Sequence, residues 1–292
     1  MPASTGKRKQ DLGDQVAVPD KIEEDSGDDE DFDMLDVEFE WFDPQPNVDY
    51  HGIKSLLQQL FDADAQLFEL SALTDLILSQ PTLGSTVKVD GNETDPYAFL
   101  SILNLQEHKD KPFIAKFIQY LQSKSKSNSR LAPLAELLAQ PTIPPIGLIL
   151  TDRLINVPSE TVPPMYSMLL EEIEWAVQDK EPYTFTHYLI LSKTYTEIPS
   201  KLDAEENRPK KKNKGGSGSF ETMYFHPEDE VLHRHALCHG GFEYTIKQDE
   251  GHSDSKRAFQ ELGIRPQGHA ILIPADGFKS AVDDISEYLK PQ

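Results

Sequence analysis

The chain has 292 residues, of which 50 are acidic and 28 basic, so its formal net charge is −22. We expect neither a membrane span nor a secretory leader, because no apolar run approaches the ~20 residues that cross a bilayer and no apolar signal segment is found. The single cysteine, Cys238, excludes a disulfide within the chain and favours a reducing compartment. This charge argues against direct binding of nucleic acid and suits a strongly basic partner.

The negative charge is concentrated near the N-terminus. Residues 1–43 hold 15 acidic and four basic residues, a net charge of −11 over a seventh of the chain. Residues 11–31 contain no aromatic residue and no hydrophobic periodicity. Such a segment cannot bury enough apolar area to offset its conformational entropy, so we predict that residues 1–34 form a disordered acidic tail. The acidic tract in this tail, which we expect to bind the partner, consists of Glu23, Glu24, Asp25, Asp28, Asp29, Glu30 and Asp31.

Two further polar segments contain a candidate phosphorylation site and a candidate localisation signal. Ser26 lies inside the acidic tract with Asp29 three residues later, which makes it a candidate for phosphorylation by an acid-directed kinase. Residues 201–219 are rich in Lys, Gly and Ser, which predicts a flexible loop. The basic run in this loop favours a nuclear localisation signal, with a solvated loop as the alternative. The run consists of Arg208, Lys210, Lys211, Lys212 and Lys214.

The first half of the folded part combines strand and helix patterns. Apolar residues that alternate with polar ones predict strands, and apolar residues three or four positions apart predict helices. The order predicted is a strand at 37–41, helices at 50–61 and 71–77, a hairpin at 87–105 with its turn at Asp90 and Gly91, and helices at 113–121 and 131–140.

The second half continues the same mixture. Its predicted elements are a strand at 146–150, a helix at 162–177, a strand at 184–195, a helix at 227–239, strands at 242–246 and 270–273, and a helix at 276–289. The strand at 146–150 is apolar on both faces, which is typical of a central strand. We therefore predict that residues 35–292 form one α/β (α+β) domain with a mixed sheet flanked by helices.

A cluster of metal-binding residue types occurs at His233-x-His235-x-x-Cys238-His239. His235 and His239 would share one helix face, as zinc ligands often do, and Cys238 lies between them. No third well-spaced ligand is evident, and Val231 and Leu232 occupy the same helix. We therefore favour histidines of the core or surface and expect no metal. Cys238 as a nucleophile is the weaker alternative, because neighbours on one helix do not establish attack geometry.

One short pattern resembles a cofactor-binding motif. Arg265, Gly268 and Ala270 match the R/Q-x-x-G-x-G/A pattern with which GCN5-related acetyltransferases bind acetyl-coenzyme A through N–H groups of a strand-to-helix turn. Here the residues that follow, 271–273, predict a strand that would use those N–H groups in its ladder. We therefore expect no cofactor and no enzymatic activity, with an acetyl-CoA-binding acetyltransferase as the alternative.

Several segments resemble the BCCIP family. They lie in the family's order across residues 36–290, and the acidic tail and lysine-rich loop recur in the family as well. The segments are Val37 to Glu40 (VEFE), Asp49 to Phe61 (DYHGIKSLLQQLF), Gly147 to Pro158 (GLILTDRLINVP), Val162 to Tyr166 (VPPMY), Leu191 to Tyr195 (LSKTY) and Ile271 to Pro274 (ILIP).

The resemblance implies a fold related to GCN5-type acetyltransferases, without established acetyl transfer and without catalytic residues to assign. It implies an acidic adaptor or chaperone of nucleus and cytoplasm that acts in protein transport, nuclear export and ribosome biogenesis. The implied partners are a basic client such as a large-subunit ribosomal protein, nuclear transport receptors and a phosphoinositide kinase. A tumour suppressor and a kinase inhibitor that animal members bind are not carried over to this chain.

Overall fold

A computed structural model of the chain describes residues 37–80, 83–197, 222–246 and 264–290. All of them belong to one compact unit, Val37–Gln292. The predicted acidic tail at 1–34 with Ser26, and the basic loop at 201–219, lie outside the described residues.

Strands and helices alternate along the described part of the chain. The strands are β1 Glu40–Phe42, β2 Ser85–Lys88, β3 Ala98–Asn104, β4 Ile146–Arg153, β5 His187–Glu197, β6 Thr222–Tyr224, β7 Cys238–Phe242 and β8 Ile264–Pro274. The α-helices are α1 Pro46–Phe61, α2 Leu70–Leu78, α3 Leu105–His108, α4 Pro112–Ser127, α5 Ala132–Leu138, α6 Val162–Gln178, α7 Glu228–His235 and α8 Ala275–Tyr288. None of these helices has both the length and the apolar character that a membrane span requires.

The eight described strands form one mixed sheet. Its order is β1-β2-β3-β4-β5-β8-β7, and β6 pairs with β5 outside this path. The β4–β5 pair is parallel, and the other pairs are antiparallel. β4 pairs with β5 up to Leu150 and Leu191, and β6 pairs with the same edge of β5 from Thr194 onward. The sheet therefore splits beside residues 191–194 of β5.

Helices cover the sheet on both faces. Ile146, Leu148 and Leu150 of β4 pack with α1, α2, α4 and α5, whereas Ile149 packs with α6, α7 and α8. All four side chains are fully buried, because successive residues of a strand point to opposite faces and both faces are covered. The predicted mixed sheet flanked by helices, with 146–150 as a central strand, is confirmed.

Two predicted elements in the second half have wrong bounds. The helix predicted at 227–239 ends at His235, where Ala236 takes an extended conformation, and Cys238–Phe242 is strand β7 rather than helix. The strand predicted at 242–246 is therefore displaced toward the N-terminus. Pairing with β8 determines this change, since Cys238 lies opposite Leu272 and Phe242 opposite Gly268. Local periodicity does not report such long-range pairing.

Candidate functional site

Three histidines from three elements meet where α7 packs on the sheet. His233 of α7, His239 of β7 and His269 of β8 each place one ring nitrogen within 4.8 Å of the others. The Nε2 atoms of His233 and His269 are 2.8 Å apart. The rings of His233 and His239 stack with centroids 3.8 Å apart, and the Tyr224 ring packs edge-on against His233. We call these three residues the histidine cluster.

The histidine cluster is uncharged at neutral pH. Burial, followed by the neighbouring histidines, lowers the pKa of His233 to about 4 and of His269 to about 3. Burial, followed by the charge of Arg130, lowers the pKa of His239. His269 is 3% exposed, and its Nδ1 has no hydrogen-bond partner among the described residues. Each ring is therefore a neutral imidazole with one lone-pair nitrogen, which is the form that binds metals.

The structure separates the residues that the sequence grouped as possible zinc ligands. The Nε2 atom of His235 lies 2.8 Å from Oδ2 of Asp284 in α8. Cys238 is buried on the opposite face of the sheet, and burial raises the pKa of its thiol, which does not favour a nucleophile. Of the four residues of the sequence motif, His233 and His239 belong to the histidine cluster, and His235 and Cys238 do not. His269 was missed because it is 30 residues away in sequence and reaches His239 only through β7–β8 pairing.

Buried ion pairs fill the split between β4 and β5. Lys193 of β5 places its Nζ 2.8 Å from Oδ2 of Asp152 in β4, and Nε2 of His226 lies 3.2 Å from the other carboxylate oxygen. Burial alone would raise the pKa of Asp152, but the hydrogen bonds and charges of His226 and Lys193 outweigh it and lower the pKa. Next to Asp152, Arg153 binds Glu228 of α7 through two contacts of 2.5 and 3.1 Å. These contacts tie α7 to the sheet.

A buried carboxyl group with a raised pKa lies beside these pairs. Asp229 of α7 is 2% exposed and accepts a hydrogen bond of 2.6 Å from the Ser192 hydroxyl. Burial is the main cause that raises the pKa of Asp229 to about 7. The small void beside Ser192, about 10 Å³, is lined by none of the charged residues at the split, which contact one another instead. We therefore interpret the buried charges at the split as structural.

The predicted acetyl-coenzyme A segment is part of the sheet. Arg265, Gly268 and Ala270 all lie in β8, and β5 pairs with β8 along its whole length. Gly268 and Ala270 also pair with β7 on the other edge. The N–H groups of Gly268 and Ala270 are thus enclosed between two strands, as the sequence predicted, rather than exposed in a strand-to-helix turn.

The two helical layers differ in charge. Helices α1 to α5 carry four acidic and four basic residues and have no net charge. Helices α6, α7 and α8 carry ten acidic and two basic residues, a net charge of −8. The exposed acidic residues of α6 and α8 are Glu171, Glu174, Asp276, Asp283 and Glu287.

Exposed apolar side chains accompany these acids. Trp175 and Val177 of α6 are 44% and 39% exposed, and Tyr288 of α8 is 47% exposed. Because α6 and α8 pack against each other, the exposed acids and these three side chains belong to one layer of the molecule. We call this surface of α6 and α8 the acidic face. Its composition, apolar side chains among carboxylates, suits a basic protein. The sequence did not locate it.

A family model links the chain to known proteins. The model of the BCCIP family matches residues 34–232. This range includes the split in the sheet, α6 and part of α7.

Curated relatives match almost the full length of the chain. A protein named bcp1 from Aspergillus fumigatus is 66% identical over 92% of this chain and 92% of its own length. The bcp1 protein of Schizosaccharomyces pombe is 48% identical over 88% of this chain and 91% of its own length.

A solved structure shares the fold. The crystal structure of BCP1 from Saccharomyces cerevisiae superposes with a TM-score of 0.60 at 26% identity, covering 90% of this chain and 97% of that one. The likeness to GCN5-type acetyltransferases that the sequence implied stays a prediction.

Proposed function

Because the chain belongs to the BCCIP family, we propose that it is a non-enzymatic acidic adaptor that escorts a basic protein client. The client we propose is a ribosomal protein of the large subunit, carried in the course of nuclear export and ribosome biogenesis. Nuclear transport receptors would be further partners, and a phosphoinositide kinase could be a second export cargo. Nucleic acid would not bind directly.

The observation that carries this proposal is the uneven distribution of negative charge. The net charge of the chain is −22, half of it lies in residues 1–43, and α6 to α8 hold a further −8. A ribosomal protein away from its RNA presents many lysines and arginines, which would otherwise bind the wrong polyanion. Carboxylates of opposite charge speed the encounter with such a surface and shield it.

The acidic face is the surface where we place tight binding. Exposed charges separated by more than ~8 Å are screened at physiological salt, so charge alone gives weak affinity. Partly exposed aromatic residues such as Trp175 and Tyr288 supply the apolar area that affinity requires. The acidic tract at residues 23–31 would add attraction at longer range.

The experiment that tests this function measures whether the chain keeps a client soluble. Purified large-subunit ribosomal proteins are diluted from high salt with and without the full-length chain, and light scattering reports aggregation. We expect at least one of them to stay soluble at equimolar chain, in a complex that elutes with the chain on gel filtration. Aggregation of all of them at the same rate in both samples contradicts the proposal.

We also propose that the chain moves between nucleus and cytoplasm. The basic run Arg208, Lys210, Lys211, Lys212 and Lys214 would be the import signal. Alanine at all four lysines should shift a fluorescent fusion toward the cytoplasm. An unchanged nuclear signal would exclude this run as the sole import signal.

A further inference from the structure

We infer that His233, His239 and His269 bind a divalent transition metal ion, with Zn²⁺ as the ion expected. The site lies between α7, β7 and β8. It is distinct from the acidic face and does not depend on the proposed escort function.

The donor atoms are in range of one ion. Zinc–nitrogen bonds of ~2.1 Å in a tetrahedral site place the ligand nitrogens roughly 3.4 Å apart. In the histidine cluster one ring nitrogen of each residue lies within 4.8 Å of the others, and the Nε2 atoms of His233 and His269 are 2.8 Å apart. Binding of one ion requires the ring of His233 or of His239 to rotate out of their stack, in which the centroids are 3.8 Å apart, so that the lone pairs converge. The backbone that carries two of the ligands is held by the β7–β8 ladder, in which His239 lies opposite Ile271 and His269 opposite Gly241.

The chemistry of the donors selects the class of metal. Three imidazoles without a carboxylate or thiolate suit Zn²⁺, Cu²⁺ and Ni²⁺, whereas Ca²⁺ and Mg²⁺ require oxygen ligands. Among the described residues His269 Nδ1 is buried without a hydrogen-bond partner, although buried polar atoms rarely lack one. Three protein ligands leave the fourth tetrahedral position for water or for a group from a partner.

Metal binding would stabilise the edge of the sheet formed by β7. β7 is the last strand of the sheet and pairs with β8 alone among the described strands. One ion held by α7, β7 and β8 would tie this edge to the helix that covers it. Because the site forms only in the folded chain, metal binding adds to the stability of the fold.

The test uses the full-length chain, free of any histidine tag and stripped of metal with a chelator. Zn²⁺ is titrated by calorimetry and in competition with a coloured zinc chelator, Co²⁺ is added to record its visible spectrum, and thermal melts are taken with and without Zn²⁺. We expect one zinc ion per chain at micromolar or lower Kd, a tetrahedral Co²⁺ spectrum and a rise in Tm with zinc.

Three variants locate the ion. His233→Gln and His239→Gln, both at partly exposed positions, should weaken zinc binding by at least about tenfold and abolish the rise in Tm. His235→Gln is the matched control, because His235 lies on the same helix but contacts Asp284 instead of the cluster, and it should bind zinc as the native chain does. Melts of the metal-free variants confirm that they are folded. Absence of saturable binding, or binding that His239→Gln leaves unchanged, overturns the inference.

Discussion

The ionisation of a buried side chain in this fold depends on the partner that the side chain contacts. Lys88 and Asp49 are both fully buried, and Nζ of Lys88 lies 2.6 Å from Oδ1 of Asp49. Lys88 also donates two hydrogen bonds to Asn92. Asp229 has the Ser192 hydroxyl as a partner, but burial still raises its pKa to about 7. Burial of an acid without a compensating positive charge raises its pKa toward neutral pH, so the acid titrates in the physiological range.

Asp229 should make the stability of the fold depend on pH. In the unfolded chain its carboxyl group ionises near 3.8, whereas in the folded chain its pKa is raised to about 7. The stability it contributes is present at low pH and is lost as pH rises through 7, because the unfolded state ionises first. Asp229→Asn cannot ionise, so between pH 5.5 and 8 the variant should gain about 2 kcal/mol relative to the native chain.

Urea unfolding at several pH values measures this difference. Asp283→Asn, at an exposed position of α8, is the control and should track the native chain throughout. A difference between Asp229→Asn and the native chain that stays constant with pH would show that the buried carboxyl group is not neutral.

At the scale of elements, β4 organises both halves of the core. Its residues Leu148 and Ile149 face opposite helical layers, and both are fully buried. A short run with apolar residues on both faces indicated this central position in the sequence, because only a strand covered on both sides has such a pattern. Strand β7 gave no such signal, since its sequence CHGGF, with two glycines and one histidine, has neither a strand nor a helix pattern. The histidine cluster could not be predicted from the sequence for the same reason, because it forms only when β7 lies beside β8.

Two isoleucines in and after β4 test this architecture. Ile149 is fully buried and Ile155, two residues beyond the strand, is fully exposed. Ile149→Ala should lower the free energy of unfolding by about 2–5 kcal/mol, because it removes buried methylene groups and leaves a cavity. Ile155→Ala should change it by less than ~0.5 kcal/mol. Equal shifts in the two denaturation midpoints would contradict the central position of β4.

On the scale of the whole molecule, negative charge is concentrated in residues 1–43 and in the layer of helices α6, α7 and α8. The sequence was enough to predict the acidic N-terminal segment, since composition alone reports it. It could not predict the acidic face, because Glu171 and Glu287 are more than a hundred residues apart and come together only when α6 packs against α8.

Removal of residues 1–34 should affect the rate of encounter with a client. These residues hold much of the negative charge, and long-range attraction acts mainly on association. Stopped-flow mixing should show slower association with a weaker dependence on salt, and a dissociation rate that changes little. Faster dissociation with unchanged association would mean that the segment docks specifically.

The most direct test of the escort function compares two variants of equal net charge. One neutralises the acidic face with Glu171→Gln, Glu174→Gln, Asp283→Asn and Glu287→Gln. The other removes four exposed acids from the opposite side with Glu69→Gln, Asp75→Asn, Glu107→Gln and Glu136→Gln, so both chains have a net charge of −18. The measurement is the Kd for a large-subunit ribosomal protein that the native chain keeps soluble. We predict that the first variant binds at least about tenfold more weakly and the second within a few-fold of the native chain. Equal Kd values for the two variants would contradict the acidic face as the client-binding surface.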